Sequence, residues 1–142
     1  MRHATAEEAA GGSDSARRLS EQGRREAREA AQAIRDRGAR PAIVFTSPRL
    51  RARETAEIVA KALGISVEVR EGLNCGATTE AYLDVLRPDE ARDVLLVAHN
   101  PEISAIAGAL AGKGVAFRPS TVCCVDLSEA SAHLDWIRHP GD

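Results

Sequence analysis

The sequence predicts an α/β protein, a three-layer α/β/α sandwich whose central sheet is mostly parallel. Two features carry that expectation. Short apolar runs at residues 42–45 and 94–98 read as strands buried on both faces, the pattern of a parallel sheet covered on each side. Around them lie longer stretches with apolar residues at helical spacing, so strands and helices alternate along the chain. With 142 residues and 44% hydrophobic content, residues 1–142 are expected to form one domain with a substantial core.

Each element has a local reason. Residues 6–18 have no usable period, and Gly11-Gly12-Ser13-Asp14 reads as a loop. Over residues 20–37, Ala27, Ala30, Ala31 and Ile34 share one face with Arg and Glu between them, an amphipathic helix that Gly38 stops. The strand at 42–45 follows Pro41. Ser47 and Pro48 then make a cap-and-proline helix start. Ala52, Thr55, Ala56, Val59 and Leu63 form that helix's inner stripe, and Gly64 ends it. Residues 65–69 alternate as a second strand, 71–78 form a Gly-containing loop, and 81–86 a short helix closed by Pro88.

Residues 94–98 give the strongest strand signal. Asn100-Pro101-Glu102 repeats the cap-then-proline start, with an acid in the positive first turn. Ile103, Ile106, Ala107 and Leu110 supply the buried face of that helix. Two last strands, 122–127 and 133–137, are expected to pair as a hairpin through 128–131.

Composition excludes several function classes. A net charge of −2 gives no general attraction to nucleic acid or acidic membranes. No apolar run approaches the ~20 residues that span a bilayer, and the polar N-terminus reads as neither signal nor transit peptide. Cys75, Cys123 and Cys124 lack CxxC spacing, so neither a disulfide framework nor a zinc site is expected, and a reducing cytoplasm fits. No His/Asp/Glu spacing suggests a metal, and no cofactor is implied. The stretch 108–114 lacks the Ser/Thr of a phosphate-binding P-loop and follows a helix. Neither Cys75 nor Cys124 has an Arg at the offset that a cysteine phosphatase uses.

In an open α/β sheet, ligands sit beyond the carboxyl ends of the strands. Residues 47–51 and His99-Asn100 both follow apolar strands directly, so they are expected to converge at one edge. Arg51 at one helix start and Asn100 capping another would turn free backbone N–H groups toward an anion there. Arginine grips a phosphate through paired, charge-assisted hydrogen bonds. A histidine among arginines loses its proton more readily, and a neutral imidazole is a nucleophile. Arg49 and Arg53 read as rim charges, Arg17 and Arg18 as a solvated loop, and His133 and His139 as structural.

Arg2-His3, the block Ser47-Pro48 through Arg51-Ala52 to Thr55-Ala56, and His99-Asn100-Pro101 together resemble the histidine phosphatase superfamily, also called phosphoglycerate-mutase-like. Within it, the chain resembles the short SixA-type phosphohistidine phosphatases, with support from residues 14–23, 73–76 and 95–101. The resemblance implies His3 as a nucleophile forming a phosphohistidine that water hydrolyses. Arg2, Arg51 and His99 would hold the phosphoryl oxygens, Ser47 would support the pocket, and Glu71 is the nearest candidate for an acid. The expected substrate is a phosphorylated protein carrying phosphohistidine, with inorganic phosphate as product. The short stretch between Thr55 and His99 leaves little room for a lid, which suits a protein-borne phosphoryl group. A small phosphate ester as substrate, or an inactive relative that only binds phosphate or phosphoprotein, are the alternatives.

One feature departs from the family pattern. The Arg-His pair there ends an apolar central strand, whereas Met1 is the only residue before Arg2. The expectation is therefore that the first central strand is missing, with either a natural chain that begins earlier (the favoured reading) or a fold that fills the gap in another way, and that His3 sits on a terminus, where segments tend to be mobile, beside unpaired backbone.

Overall fold

The computed structural model describes residues 1–9, 12–86, 92–127 and 132–142. The elements are helix α1 (Glu21–Asp36), strand β1 (Ile43–Thr46), helix α2 (Leu50–Leu63), strand β2 (Ser66–Val69), helix α3 (Thr79–Leu86), strand β3 (Val94–Val97), helix α4 (Glu102–Ala111) and strands β4 (Val122–Asp126) and β5 (His133–Arg138). Single 3-10 turns occupy Asp14–Ala16 and Glu71–Leu73, inside segments that the sequence reads as plain loop. Pro88 and the connection 128–131 lie outside the described residues.

β1 is the middle strand of a parallel sheet ordered β2-β1-β3, and β4 and β5 form an antiparallel pair. Strand alternation sends Val44, Leu95 and Val97 into one cluster with the alanine faces of α1 and α2. Phe45 and Ala98 join Tyr82, Ile103, Ile106 and Ala107, from α3 and α4, in a second cluster. Helices thus cover both faces, as the sequence predicts.

The stripe Ala27, Ala30, Ala31 and Ile34 is buried, and the small side chains of Ala52, Ala56 and Ala60 meet it from α2. Ser20 caps α1 by accepting from Gly23 N–H at 3.0 Å. Gly64 ends α2 in the left-handed region at φ 72°, the conformation glycine adopts without steric cost. The helix starts nearest the site differ from expectation. α2 begins at Leu50 with Arg49 at the cap position, and Ser47 Oγ accepts from Arg49 N–H in the turn before it. α4 begins at Glu102 with Pro101 at its cap, so the Asn100 side chain does not cap it.

The expected gap before Arg2 is filled in another way. Residues 1–3 pair directly with β3 and with the entry to β4. Arg2 bridges to Ala98 in the parallel sense. Ala98 N–H donates to Met1 O at 3.1 Å, and His3 N–H donates to Ala98 O at 3.0 Å. On the other side, Arg2 N–H donates to Thr121 O and Ser120 N–H donates to Arg2 O, both at 3.1 Å. The Met1 amine donates to Leu96 O at 2.8 Å, and burial pushes its pKa down to about 5. Three residues therefore close the space between the parallel sheet and the hairpin. His3 is buried there, with hydrogen bonds on both sides of its segment.

Candidate active site

The site lies where β1, β3 and residues 1–3 end. β1 delivers Thr46 and Ser47, β3 runs into Ala98 and His99, and the N-terminal segment delivers Arg2 and His3. The two histidine rings lie 5.3 Å apart, centroid to centroid, tilted by 57°.

His3 is held at both ends. Behind it, Ala4 N–H donates to Thr55 Oγ1 at 3.0 Å, and the Thr55 hydroxyl donates to Arg51 O at 2.8 Å. On the ring, Nδ1 lies 2.8 Å from Ala4 O. A carbonyl can only accept, so Nδ1 carries the proton and Nε2 keeps its lone pair. Nε2 is met by Arg51 Nε at 3.3 Å. Burial, with the charges of Arg51, Arg2 and Arg17 adding to it and the Ala4 contact opposing it, lowers the His3 pKa to about 4. The ring is therefore neutral at ordinary pH, with its basic nitrogen facing a guanidinium.

His99 is only 2% exposed, and its Nε2 lies 2.6 Å from Ser47 Oγ. Burial first, then His3, Arg51 and Arg49, lower its pKa to about 3. Its Nδ1 is buried and has no partner among the described residues, and the same holds for Arg2 Nε.

Arg51 and Arg2 reach the site from different elements. Buried Arg51 reaches from the first turn of α2, with Nη1 on Asp14 O at 3.0 Å, Nη2 3.3 Å from the Asp14 carboxylate, and Nη2 on Cys75 Sγ at 3.5 Å. Arg2 donates through Nη1 to Phe117 O at 3.0 Å, and Asn100 Nδ2 donates to the same carbonyl at 3.2 Å. Arg2 and Asn100 are thereby joined, although Asn100 itself is exposed and also accepts from Ser104 Oγ. Glu71 stands apart. It opens an exposed 3-10 turn, and among the described residues its carboxylate makes no hydrogen bond or ion pair with His3, Arg2, Arg51 or His99.

Sequence reading passed over several groups here. Asp14 pairs with Arg51, Arg49 and Arg17. Asn74 Oδ1 accepts from Arg49 Nε at 2.8 Å, and Glu102 accepts from Gly76 N–H at 2.7 Å, tying α4 to the turn that carries Cys75. Asp14 lies in the segment 14–23 that supports the resemblance, yet no local pattern connects it with an arginine near residue 50. Only the fold does.

A neutral imidazole facing an arginine, with a second buried histidine beside it, sets a nucleophilic nitrogen beside a fixed cation. The chain belongs to the histidine phosphatase superfamily, branch 1, whose family model matches residues 1–74. It is an enzyme of that phosphatase class. Among solved structures it is similar to the protein histidine phosphatase SixA complexed with tungstate, at 30% identity and TM-score 0.87, covering 99% of this chain and 94% of that one. A SixA protein from Agrobacterium tumefaciens matches at 29% identity and TM-score 0.87, covering 99% and 95%. A phosphoserine phosphatase from Entamoeba histolytica, at 15% identity and TM-score 0.74, covering 99% and 95%, shares the fold. No curated protein sequence matches significantly.

Proposed function

We propose that the chain is a phosphohistidine phosphatase that works through a covalent phosphohistidine on His3. The observation that carries this reading is the His3 ring itself. It is neutral, its Nδ1–H is committed to Ala4 O, and its Nε2 lone pair faces Arg51. That is the state a nucleophilic imidazole needs. Likeness to SixA proteins supports the substrate class.

In the first step, His3 Nε2 displaces Arg51 as its neighbour and attacks phosphorus. The new P–Nε2 bond forms as the P–N bond to the substrate histidine breaks. A phosphoimidazole protonated on its other nitrogen leaves as neutral imidazole, so this substrate asks for no dedicated acid. Glu71, exposed and with no hydrogen bond to the set among the described residues, receives no role in this reading. Arg51 and Arg2 hold the phosphoryl oxygens, with Arg2 Nε and His99 Nδ1 as further buried groups in need of partners. Ser47 fixes the His99 ring, and Asn100 steadies Arg2 through their shared carbonyl. In the second step, water attacks phosphorus, inorganic phosphate leaves, and His3 returns to its neutral form.

The substrate in this reading is a phosphorylated protein of cytoplasmic phosphotransfer signalling, and residues 1–142 act as one domain. Free thiols at Cys75, Cys123 and Cys124 suit that compartment. No helix among the described residues is long and apolar enough to cross a membrane.

The test is to incubate the protein with a histidine-phosphorylated phosphotransfer domain and with sugar phosphates. The expected result is an acid-labile phosphoenzyme, lost in His3→Ala, with faster turnover of the phosphoprotein. Full activity in His3→Ala would overturn the mechanism, and preference for the sugar phosphates would move the substrate to small esters.

A further inference from the structure

The Asp14 carboxylate has no part in the chemistry above, yet it sits on the arginine that does. Its Oδ2 lies 3.3 Å from Arg51 Nη2 and 3.5 Å from Arg49 Nη1, and its Oδ1 lies 3.3 Å from Arg17 Nη1. Its backbone carbonyl accepts from Arg51 Nη1 at 3.0 Å. We propose that Asp14 is the counter-ion of the phosphoryl pocket, a residue whose negative charge weakens the hold of Arg51 on inorganic phosphate and so lets product leave. The proposal rests on the phosphatase reading given above.

Asp14 and a bound phosphoryl group compete for the same donors. Arg51 is only 5% exposed and points one edge at His3 Nε2 and the other at Asp14. A phosphoryl group bonded to Nε2 lies against that guanidinium, so carboxylate and phosphoryl oxygens share one cation a few ångströms apart. Like charges at that separation repel, and each bond of Arg51 to Asp14 is one fewer for phosphate. The Arg51 guanidinium holds the Asp14 carboxyl below the usual carboxylate range, so the charge is present at neutral pH.

Inorganic phosphate feels this penalty most, because the pocket is its whole binding site. A phosphoprotein spreads its contacts over a surface. Asp14 thus separates product from substrate without touching either reacting atom, and its second contribution is to position Arg51.

These two contributions have opposite signatures. If Asp14 only propped Arg51, its loss would loosen the arginine and weaken phosphate binding. As a counter-ion, its neutralisation tightens phosphate binding. The carboxylate is more than half exposed, so the expected change is modest, about fivefold in the dissociation constant at low salt. It should shrink at high salt, where exposed charges are screened.

The experiment measures inorganic phosphate binding by titration calorimetry and as product inhibition, in wild type, Asp14→Asn, Asp14→Ala and Glu29→Gln. Glu29→Gln makes the same change in net charge on exposed α1 and reports any general charge effect. Circular dichroism confirms that each variant is folded. The expected result is tighter phosphate in Asp14→Asn at low salt, convergence with wild type at high salt, and no change in Glu29→Gln. Unchanged or weaker phosphate binding in Asp14→Asn overturns the proposal, as does equal tightening in Glu29→Gln. A wild type that binds phosphate but forms no His3 phosphoenzyme sinks the phosphatase mechanism instead, and the binding comparison still reads the charge of Asp14.

Discussion

His3 and His99 are kept uncharged for the same first reason, burial, and nearby arginines add to it, with His3 adding further in the case of His99. Because the rate constant kcat/KM reports the free enzyme, its acid limb should fall near pH 4, where His3 protonates, rather than near the ordinary histidine value of 6.5. A pH profile with a midpoint near 6.5 would mean that His3 is not in this environment. Stability should follow the same groups. Both folded pKa values are depressed, so the unfolded chain takes up protons first as pH falls below 6.5. Stability is therefore full above that value and declines down to about pH 4 for the His3 share and about pH 3 for the His99 share. Each ring contributes a loss on the order of 2 kcal/mol between pH 7 and pH 5. Urea unfolding at the two pH values measures it, and His99→Gln should remove its share of the loss. At this scale, the sequence made His3, Arg51 and His99 legible because family spacing marks them. Asp14 and the Phe117 carbonyl were not legible, since their partners lie far along the chain and one is a backbone atom.

The position of His3 depends on how α1 and α2 meet the segment that carries it. Thr5 O accepts from Ser20 N–H at 3.0 Å, and Thr5 N–H and hydroxyl donate to the Glu26 carboxylate, so the start of α1 holds the chain just past His3. Gly23 makes that approach possible, because a Cβ there would stand 2.0 Å from Thr5 O. Backbone cannot yield as a side-chain tip can. Gly23→Ala should destabilise the protein by about 1–3 kcal/mol and lower kcat as His3 is displaced, read by thermal unfolding and turnover together. Unchanged stability and turnover would show that α1 does not support the site. α2 offers a second test. Thr55→Val leaves Ala4 N–H buried without its acceptor, at a cost of about 1–3 kcal/mol. The stripes of both helices could be read directly from spacing. Their precise starts could not, because Ser47 and Asn100 spend their side chains on His99, Arg49, Phe117 and Ser104 instead of on a helix cap.

Across the whole molecule, residues 1–3 join the parallel sheet to the hairpin that contains β4 and β5. The sequence expectation of a mobile terminus followed from the missing apolar run, a local signal. The observed pairing uses the backbone of Ala98, Leu96, Thr121 and Ser120, and a local pattern does not encode which backbone groups a short segment will find. Amides in such a segment exchange with solvent either by fraying alone or only when the sheets part. The pairing on both sides predicts the second. His3 N–H and Ala98 N–H, each bonded across the junction, should exchange at the rate of amides in the central strand β1, through global opening. Native-state hydrogen exchange across a denaturant series measures this directly. If His3 N–H exchanged much faster than β1 and without denaturant dependence, the proposed nucleophile would be carried on a fraying end. Its preorganisation would then have to come from bound substrate. If both amides follow global opening, the proposed phosphoryl pocket is built into the sheet junction, and any substitution that loosens β4 against residues 1–3 should lower turnover in step with stability.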